Sequence, residues 1–552
     1  MQVTDPNWHS RVEAPVKLNN AVDRHWDDEA DVVIIGLGGA GICAALEALQ
    51  SGAKVIAIDR FGGGGATRMS GGVFYSGGGT PYQREAGVED TVDEMYKYLK
   101  LEVADAVCDN TLRDFCKRSI ENLEWLAGHG VAFKSTLSPV KTSYPGKGYF
   151  LYHSGNEAVA EYADQAKPAQ RGHRVVGDGL TGPHFFDPLL QSALKMGLKV
   201  YSYGEARRFV VSTTGEIVGV EIQHVGDDSK GALALKKVSN EFAKATTLLF
   251  PSIAEKLVSK ANALSDRHSK VRSIRIKKAV VLTAGGYIHN RRMVQHYAPK
   301  YSGAIALGSI GCDGAGIRLG QSVGADTKRL SNISAWRQFN PPAAFASGVV
   351  VNAKGERFVS EDCYGAKIGY HIAEDQNGVA YIILDRELRK QAIRQALPGR
   401  RKLFRLQGAP ALMGMFLSAK KAGSIGALAV KCGMDPATLE AEIEHYNGCY
   451  DGTEIPRYRK QQDFVSRITE PPFYAIDISI HNRRYLCPTI SLGGVVVDEK
   501  TGQVQDENGQ PIPKLFAAGK NAVGVSSHRY VSGLSLADCV YSGRIAGRSA
   551  SR

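Results

Sequence analysis

Asp31-Val32-Val33-Ile34-Ile35-Gly36-Leu37-Gly38-Gly39-Ala40-Gly41 constrains this chain more than any other stretch, because a β-branched run feeds a GxGxxG turn and an alanine-rich segment follows through Gln50. Strand, turn and helix in that order make half of a βαβ unit. Gly36 permits the tight turn, Gly38 lets a diphosphate approach the backbone, and Gly41 lets the helix pack closely on the strand. Phosphates on such a turn meet a helix N-terminus, where unpaired N–H groups and the dipole favour negative charge. A second strand, Lys54 to Ile58, ends in Asp59. Its carboxylate is expected to accept both hydroxyls of an adenosine ribose that carries no phosphate.

The ligand served by this turn is set further along. Gly62 to Gly65, Ala66, Thr67, Arg68, Met69, Ser70, Gly71 and Gly72 form a glycine run too long for an ordinary helix-to-strand connection, and such a run exposes backbone N–H groups to an extended ligand. Two later strands end in the same way: Ala279-Val280-Val281-Leu282-Thr283-Ala284-Gly285-Gly286, and Leu515-Phe516-Ala517-Ala518-Gly519 near the far end of the chain. Three separated strands ending in small residues suit a long FAD crossing one sheet, whereas NAD would need only the first. The expected cofactor contacts are Gly36, Gly38, Gly39, Ala40 and Gly41 on the turn, and Asp59 and Arg60 after the second strand. Gly65, Ala66, Thr67, Gly71 and Gly72 follow on the glycine run, then Ala284, Gly285 and Gly519 on the later strands. Gly311-Cys312-Asp313-Gly314-Ala315-Gly316 looks like another dinucleotide loop, but no β-branched strand precedes it, and it does not argue for NAD.

Beyond Gly519 comes Ser527-His528-Arg529-Tyr530-Val531-Ser532-Gly533-Leu534-Ser535-Leu536. Gly533 and Ser535 introduce an apolar, alanine-containing helix from Leu536 to Ala546, so a helix N-terminus points at whatever binds beside Tyr530. That dipole favours negative charge on a reduced flavin. One of Ser532 and Ser535 is expected to cap the helix.

Four blocks run in order across most of the chain: GGATRMSGGVFYSGGGTPYQ at Gly64 to Gln83, GERFVSEDCYGAKIG at Gly355 to Gly369, SLGGVVVD at Ser491 to Asp498, and RYVSGLSLADCVYSGRIAG at Arg529 to Gly547. In them the chain resembles the fumarate reductase and succinate dehydrogenase flavoprotein superfamily. Within it the chain is most similar to the FAD-dependent 3-ketosteroid dehydrogenases of the Δ4-(5α) group. The resemblance implies introduction of a C4–C5 double bond into a 3-ketosteroid, in steroid degradation, with electrons passed to an external acceptor, a quinone or an electron-transfer protein. Making a C=C bond beside a ketone removes a proton from the α carbon and a hydride from the β carbon, flavin N5 taking the hydride. The protein supplies a base and a donor for the enolate oxygen. By resemblance Tyr364 is the base for the C4 proton. Tyr530 polarises the C3 carbonyl with a backbone N–H of the following turn, and Ser532 assists or relays the proton. Ala206, Ser535 and Leu536 complete the cofactor contacts.

Departures from the wider superfamily sharpen these expectations. Covalently flavinylated members carry a histidine after the glycine run, whereas Thr67 to Ser70 has none, so the FAD is expected to be noncovalent. Fumarate reductases grip two carboxylates with arginines and histidines. His528 and Arg529 imitate part of that grip, but no His-Pro-Thr segment supplies the rest. Tyr144, Tyr149 and Tyr152 lie in a glycine-containing aromatic loop suited to roof an apolar pocket. A 3-ketosteroid Δ1-dehydrogenase (C1–C2) stays open as the alternative, although its C-terminal Tyr-x-x-x-Gly would need glycine at position 534, where this chain has Leu534 after Gly533. Outside enzymes, a flavin-stabilised sterol carrier that docks on membranes also stays open.

A chain of 552 residues with 43% hydrophobic content can bury a large core and is expected to form two connected domains. The fold class read here is α/β: a Rossmann-like FAD-binding domain over 1–334 and 488–552, with an inserted α+β catalytic cap over 335–487. The nine cysteines form no CxxC pair, so neither a zinc site nor a disulfide framework is implied. The first thirty or so residues contain no apolar signal region, and no run approaches the length of a spanning helix; a cytoplasmic protein is expected. The net charge is +12, and 236–278 holds eleven Lys or Arg against three acids, interleaved with Leu248, Leu249, Phe250, Ile253, Leu257, Val258 and Leu264. This looks like an insertion into the family pattern. A second basic segment runs from Arg386 to Arg405, followed by Leu412-Met413-Gly414-Met415-Phe416-Leu417. Basic residues beside apolar faces suit peripheral adsorption to the cytoplasmic membrane, and equally suit ordinary solvated helices. No nucleic-acid-binding module accompanies the charge.

Overall fold

The computed structural model describes residues 11–18, 24–226, 229–244, 250–397 and 408–552. Five strands form its parallel core, in the spatial order Lys199–Ser202, Val55–Asp59, Asp28–Ile35, Lys270–Leu282 and Pro511–Ala517. Their apolar runs are buried on both faces, as parallel strands covered by helices must be. Register brings the chemistry together. Ile58 pairs with Ile35, Ile35 with Leu282, and Leu282 with Ala517, so three glycine-bearing turns from distant parts of the chain leave the sheet at one edge. Ligands of open α/β sheets bind outside that carboxyl edge.

The first helix, Gly39–Gln50, packs against the last, Leu534–Ser551. Small residues allow the approach: a Cβ on Gly543 or Gly547 would lie 2.5 Å and 2.3 Å from the carbonyl oxygens of Ala40 and Ala44. Glu47 is buried between the helices and accepts from Arg544 Nε at 2.5 Å and Arg548 Nε at 2.6 Å. Burial pushes its carboxyl up, but the two arginines prevail and hold it below the usual range. The first and last of these helices are thereby locked together beside the nucleotide turn.

A separate four-stranded antiparallel sheet joins Val349–Val351, Tyr381–Leu384, Phe473–Asp477 and Ala419–Ala422. Between it and the parallel core, Ile333–Ala335 pairs with Pro488–Ser491. The buried Arg337 guanidinium donates to the Tyr485 and Leu486 carbonyls at 2.9 Å and 3.2 Å, fastening the outgoing chain to the returning one.

The basic region is organised differently from the sequence expectation. Lys270–Leu282 is one continuous strand, and Lys270 to Arg275 pairs antiparallel with Ile217–His224. The charges from Lys270 to Lys278 therefore belong to the core sheet, where alternation turns Lys277 outward and buries Ile274 and Ile276. What is inserted is a helical hairpin, Lys230–Phe242 and Pro251–His268. Of its expected apolar stripe, Leu257, Val258 and Leu264 pack inward, Phe250 and Ile253 are exposed, and Leu248 and Leu249 lie outside the described residues. Part of the second basic segment, including Leu403 and Phe404, also lies outside them. No helix among the described residues is long and apolar enough to cross a membrane.

Candidate active site at the sheet edge

Two cavities meet at the carboxyl edge of the parallel sheet. The larger, about 660 Å³, is lined by Gly36, Gly38, Gly39, Ala40, Asp59, Arg60, Gly65, Ala66, Thr67, Ala206, Ala284 and Gly285, among others. The second, about 340 Å³, is lined by Gly71, Gly72, Tyr144, Trp336, Gln338, Tyr530, Ser532, Ser535 and Leu536. Ala66, Thr67, Met69, Leu180, Lys520 and Cys539 line both, so the two are continuous.

The glycines divide by task. Gly36 has φ +96°, and a Cβ there would lie 2.5 Å from Ala284 Cα. Gly41 faces inward, where a Cβ would lie 2.1 Å from the Gly36 carbonyl oxygen. Gly38 is extended backbone with nothing within 4 Å of its Cβ direction, although the cavity lies there. Crowding behind the turn and open space in front of it are the shape a diphosphate needs. The residues therefore fit a dinucleotide such as FAD. Gly62, Gly63, Gly64 and Gly65 all have positive φ, a conformation that suits glycine.

Several predicted contacts take narrower roles. Asp59 accepts from the Leu37 N–H at 2.9 Å, the Phe61 N–H at 2.8 Å and the Gly63 N–H at 2.9 Å. A carboxylate offers roughly four acceptor positions, so these three N–H groups hold Asp59 in place beside the cavity that it lines. Arg60 is held by Asp313 at 2.7 Å and by Asn262 at the cavity rim. The Gly39 N–H is donated to Thr67 Oγ1 at 3.1 Å. Neither Gly41 nor Gly519 lines the cavities. Gly519 donates its N–H to Ser542 at 3.0 Å and packs against Ala40, while its neighbours Ala518 and Lys520 face the nucleotide space.

The last helix begins at Leu534, and its cap is Gly533 with φ +90°; neither Ser532 nor Ser535 caps it by side chain. Glycine is required at this cap twice over, by its left-handed φ and because a Cβ there would lie 2.9 Å from the Tyr75 nitrogen. Ser535 Oγ is instead buried without a partner on the cavity wall. Ser532 is freed to face the cavity, and its hydroxyl lies 3.5 Å from the buried Tyr152 hydroxyl. Tyr152, from the aromatic loop, thus supports the floor. Tyr144 lines the wall and Tyr149 is exposed.

Tyr364 precedes the Gly365–Glu374 helix. Its N–H donates to Asn156 Oδ1 at 2.6 Å, and Asn156 is held by Glu102 at 2.6 Å. Gly365 allows the loop to press on the outgoing strand, since a Cβ there would lie 1.7 Å from the Arg337 carbonyl oxygen. The Tyr364 ring stacks on Tyr530 with centroids 6.3 Å apart, and Ser532 interacts with its hydroxyl. Tyr364 itself does not line the 340 Å³ cavity; it stands behind Tyr530 and Ser532. Burial pushes the Tyr530 phenol up to about 12 and Tyr364 well above its ordinary value.

Lys520 brings the second cavity its one charged side chain among the described residues. Neither His528 nor Arg529 lines it; the Arg529 guanidinium lies 4.8 Å from the Tyr370 ring centroid, and the His528 ring 6.3 Å from it. Reading the sequence missed Lys520, Trp336 and Gln338. Lys520 follows a recognised strand end, but nothing local to Trp336 or Gln338 signals a cavity wall.

Comparison with known proteins agrees with this geometry. The FAD binding domain family matches residues 31–536. A 3-oxo-5-alpha-steroid 4-dehydrogenase of Comamonas testosteroni is 39% identical over 513 residues, covering 91% of this chain and 94% of that protein. A probable fumarate reductase of Shewanella frigidimarina is 25% identical, covering 97% and 77%. The crystal structure of 3-ketosteroid-delta4-(5alpha)-dehydrogenase from Rhodococcus jostii RHA1, in complex with 4-androstene-3,17-dione, superposes with a TM-score of 0.81 at 27% identity, covering 98% and 100%. With a family match that runs from the first core strand into the last helix, this chain belongs to the FAD binding domain family and its cofactor is FAD.

Proposed function

We propose that this protein is an FAD-dependent 3-ketosteroid dehydrogenase that introduces the C4–C5 double bond of a 5α-3-ketosteroid. The observation that carries the reading is the second cavity: among the described residues its lining is largely apolar and without an arginine, it presents the Tyr530 phenol and the Ser532 hydroxyl, and the Tyr364 ring stacks on Tyr530 behind them. A steroid is a rigid apolar body with a carbonyl at one end. Fumarate is a dianion, and a site without arginine offers it no bidentate partner. The steroid 4-dehydrogenase relatives, at 39% and 27% identity, support this reading, and the fumarate reductase relative is 25% identical.

FAD supplies the hydride acceptor when bound. Tyr530, half-buried and protonated, donates a hydrogen bond to the C3 carbonyl oxygen and stabilises charge as it develops there. The C4 proton leaves toward the Ser532 hydroxyl, the group at the wall, and passes on to Tyr364 or Tyr152 behind it. Hydride departure from C5 and proton departure from C4 leave the double bond between them. The electrons then pass to an external acceptor, a quinone or an electron-transfer protein. Among the described residues no histidine lines either cavity.

Product analysis tests the reading. A 5α-3-ketosteroid incubated anaerobically with the protein and an artificial acceptor is expected to yield the 4-ene. A 1-ene would overturn the regiochemistry, and binding without flavin bleaching would overturn the enzyme.

The buried phenols also set a pH dependence. A base whose proton must leave before it can accept another is scarce below its pKa, and burial raises that of Tyr364. The rate constant kcat/KM is expected to climb by up to about tenfold per pH unit from neutrality toward pH 9, without a plateau near 7. Stability has the opposite sign. Folding raises these pKa values above the unfolded value near 10, so their contribution is complete below about pH 10 and is lost as pH rises toward the folded values. A flat rate profile would remove a buried phenol from proton abstraction.

A further inference from the structure

We propose that the helical hairpin Lys230–Phe242 and Pro251–His268 is a clasp over the adenosine half of the FAD cavity, with Lys236, Ser239 and Asn240 as its contact face. This inference rests on FAD as the cofactor and is independent of the steroid reading.

The first helix of the hairpin has two distinct faces. Leu235, Val238 and Phe242 recur at helical spacing and are buried with Ala261 of the second helix, Val225 and Ile310. The adjacent face, Lys236, Ser239, Asn240 and Ala243, lines the 660 Å³ cavity. None of these residues lines the 340 Å³ cavity. Phe61 and Tyr203, which line the larger cavity beyond Asp59, pack on the hairpin's apolar cluster. Arg60 hydrogen-bonds to Asn262 of the second helix, and Phe242 meets the His289 ring edge-on at 5.2 Å. The hairpin is thus anchored at the Asp59 end, where the ribose is expected, and away from the tyrosines.

This placement accounts for the basic character differently from lipid adsorption. An exposed lysine on the cavity lining suits a ligand carrying a diphosphate, and Ser239 and Asn240 offer hydrogen bonds to a ribose or an adenine. The core strands do not need the hairpin for pairing, because His224 already faces Lys270 across the ladder.

The decisive measurements are FAD release from the holoprotein, followed by flavin fluorescence, and ADP competition with FAD for the apoprotein. Lys236→Glu and Asn240→Ala, both at exposed positions, are each expected to speed FAD release and weaken ADP by about tenfold, the scale of one lost polar contact. Asn262→Ala, which loosens the anchor to Arg60, is expected to speed release in the same direction. Hydrogen exchange of the unaltered protein supplies a readout that needs no variant: amides of Lys230–Phe242 are expected to gain protection when FAD is added to the apoprotein. Unchanged release and ADP affinity in all three variants, with no gain in protection, would overturn the clasp. Loss of binding to anionic phospholipid vesicles with FAD retention intact would overturn it in favour of a lipid surface.

Discussion

Tyr530→Phe is expected to lower kcat by about 10²–10³-fold, the usual cost of removing a donor from a developing oxyanion, while the protein stays yellow and keeps its full FAD content. The separation follows from where the residue lies. Tyr530 lines the 340 Å³ cavity and not the 660 Å³ nucleotide space, so losing its hydroxyl leaves the nucleotide half of the FAD site intact. Phenylalanine retains the ring that stacks on Tyr364, and only the hydroxyl is lost. A phenol pushed up to about 12 remains a donor across the working pH range, so the loss should be seen at neutral and at mildly alkaline pH alike. Steroid affinity is set mainly by apolar contact along the cavity, and KM should change far less than kcat. Single-turnover flavin bleaching reports the chemical step directly. Bleaching at the unaltered rate would take Tyr530 out of the mechanism and leave the carbonyl to another donor.

How much of this was legible depended on whether the determinant was local. The turn at Gly36 to Gly41 could be read because strand, glycine spacing and helix are contiguous. The three small-residue strand ends could be assigned to one ligand because parallel strands in register must release their turns at one edge, and Ile35, Leu282 and Ala517 do so. Tyr364 could be named from its block, but not its rank behind Ser532, which depends on how closely Gly365 presses on Arg337. The serine caps failed because Gly533, left-handed and pressed against Tyr75, takes the cap position, which no helix-start pattern encodes. The basic segment stayed ambiguous because an apolar stripe on a charged helix looks the same whether it meets lipid or Phe61 and Tyr203. Only the tertiary fold shows Leu235, Val238 and Phe242 turned inward.

The opening glycines offer a second large effect, because two of them separate the fold from its ligand. Gly38 lies in extended backbone that any residue adopts, and its Cβ direction meets no protein atom within 4 Å. Gly38→Ala is therefore expected to leave the apoprotein's denaturation midpoint unchanged. Its methyl group enters the space where the diphosphate must approach, and FAD affinity should fall by about a hundredfold, from the overpacking cost typical of a well-fitted site. Gly41→Ala puts the same methyl group 2.1 Å from the Gly36 carbonyl oxygen, inside the packed junction of helix and strand. There the apoprotein itself should lose about 1–3 kcal/mol, and FAD binding should fall with it because the turn is displaced. Urea midpoints of the two apoproteins, measured beside FAD titrations, distinguish the cases: one variant is stable and flavin-poor, the other is both unstable and flavin-poor. Tight FAD binding by Gly38→Ala would mean that the diphosphate does not cross this turn. The ligand path would then have to leave the sheet edge at Gly62 to Gly65, where four successive left-handed glycines offer the remaining backbone nest.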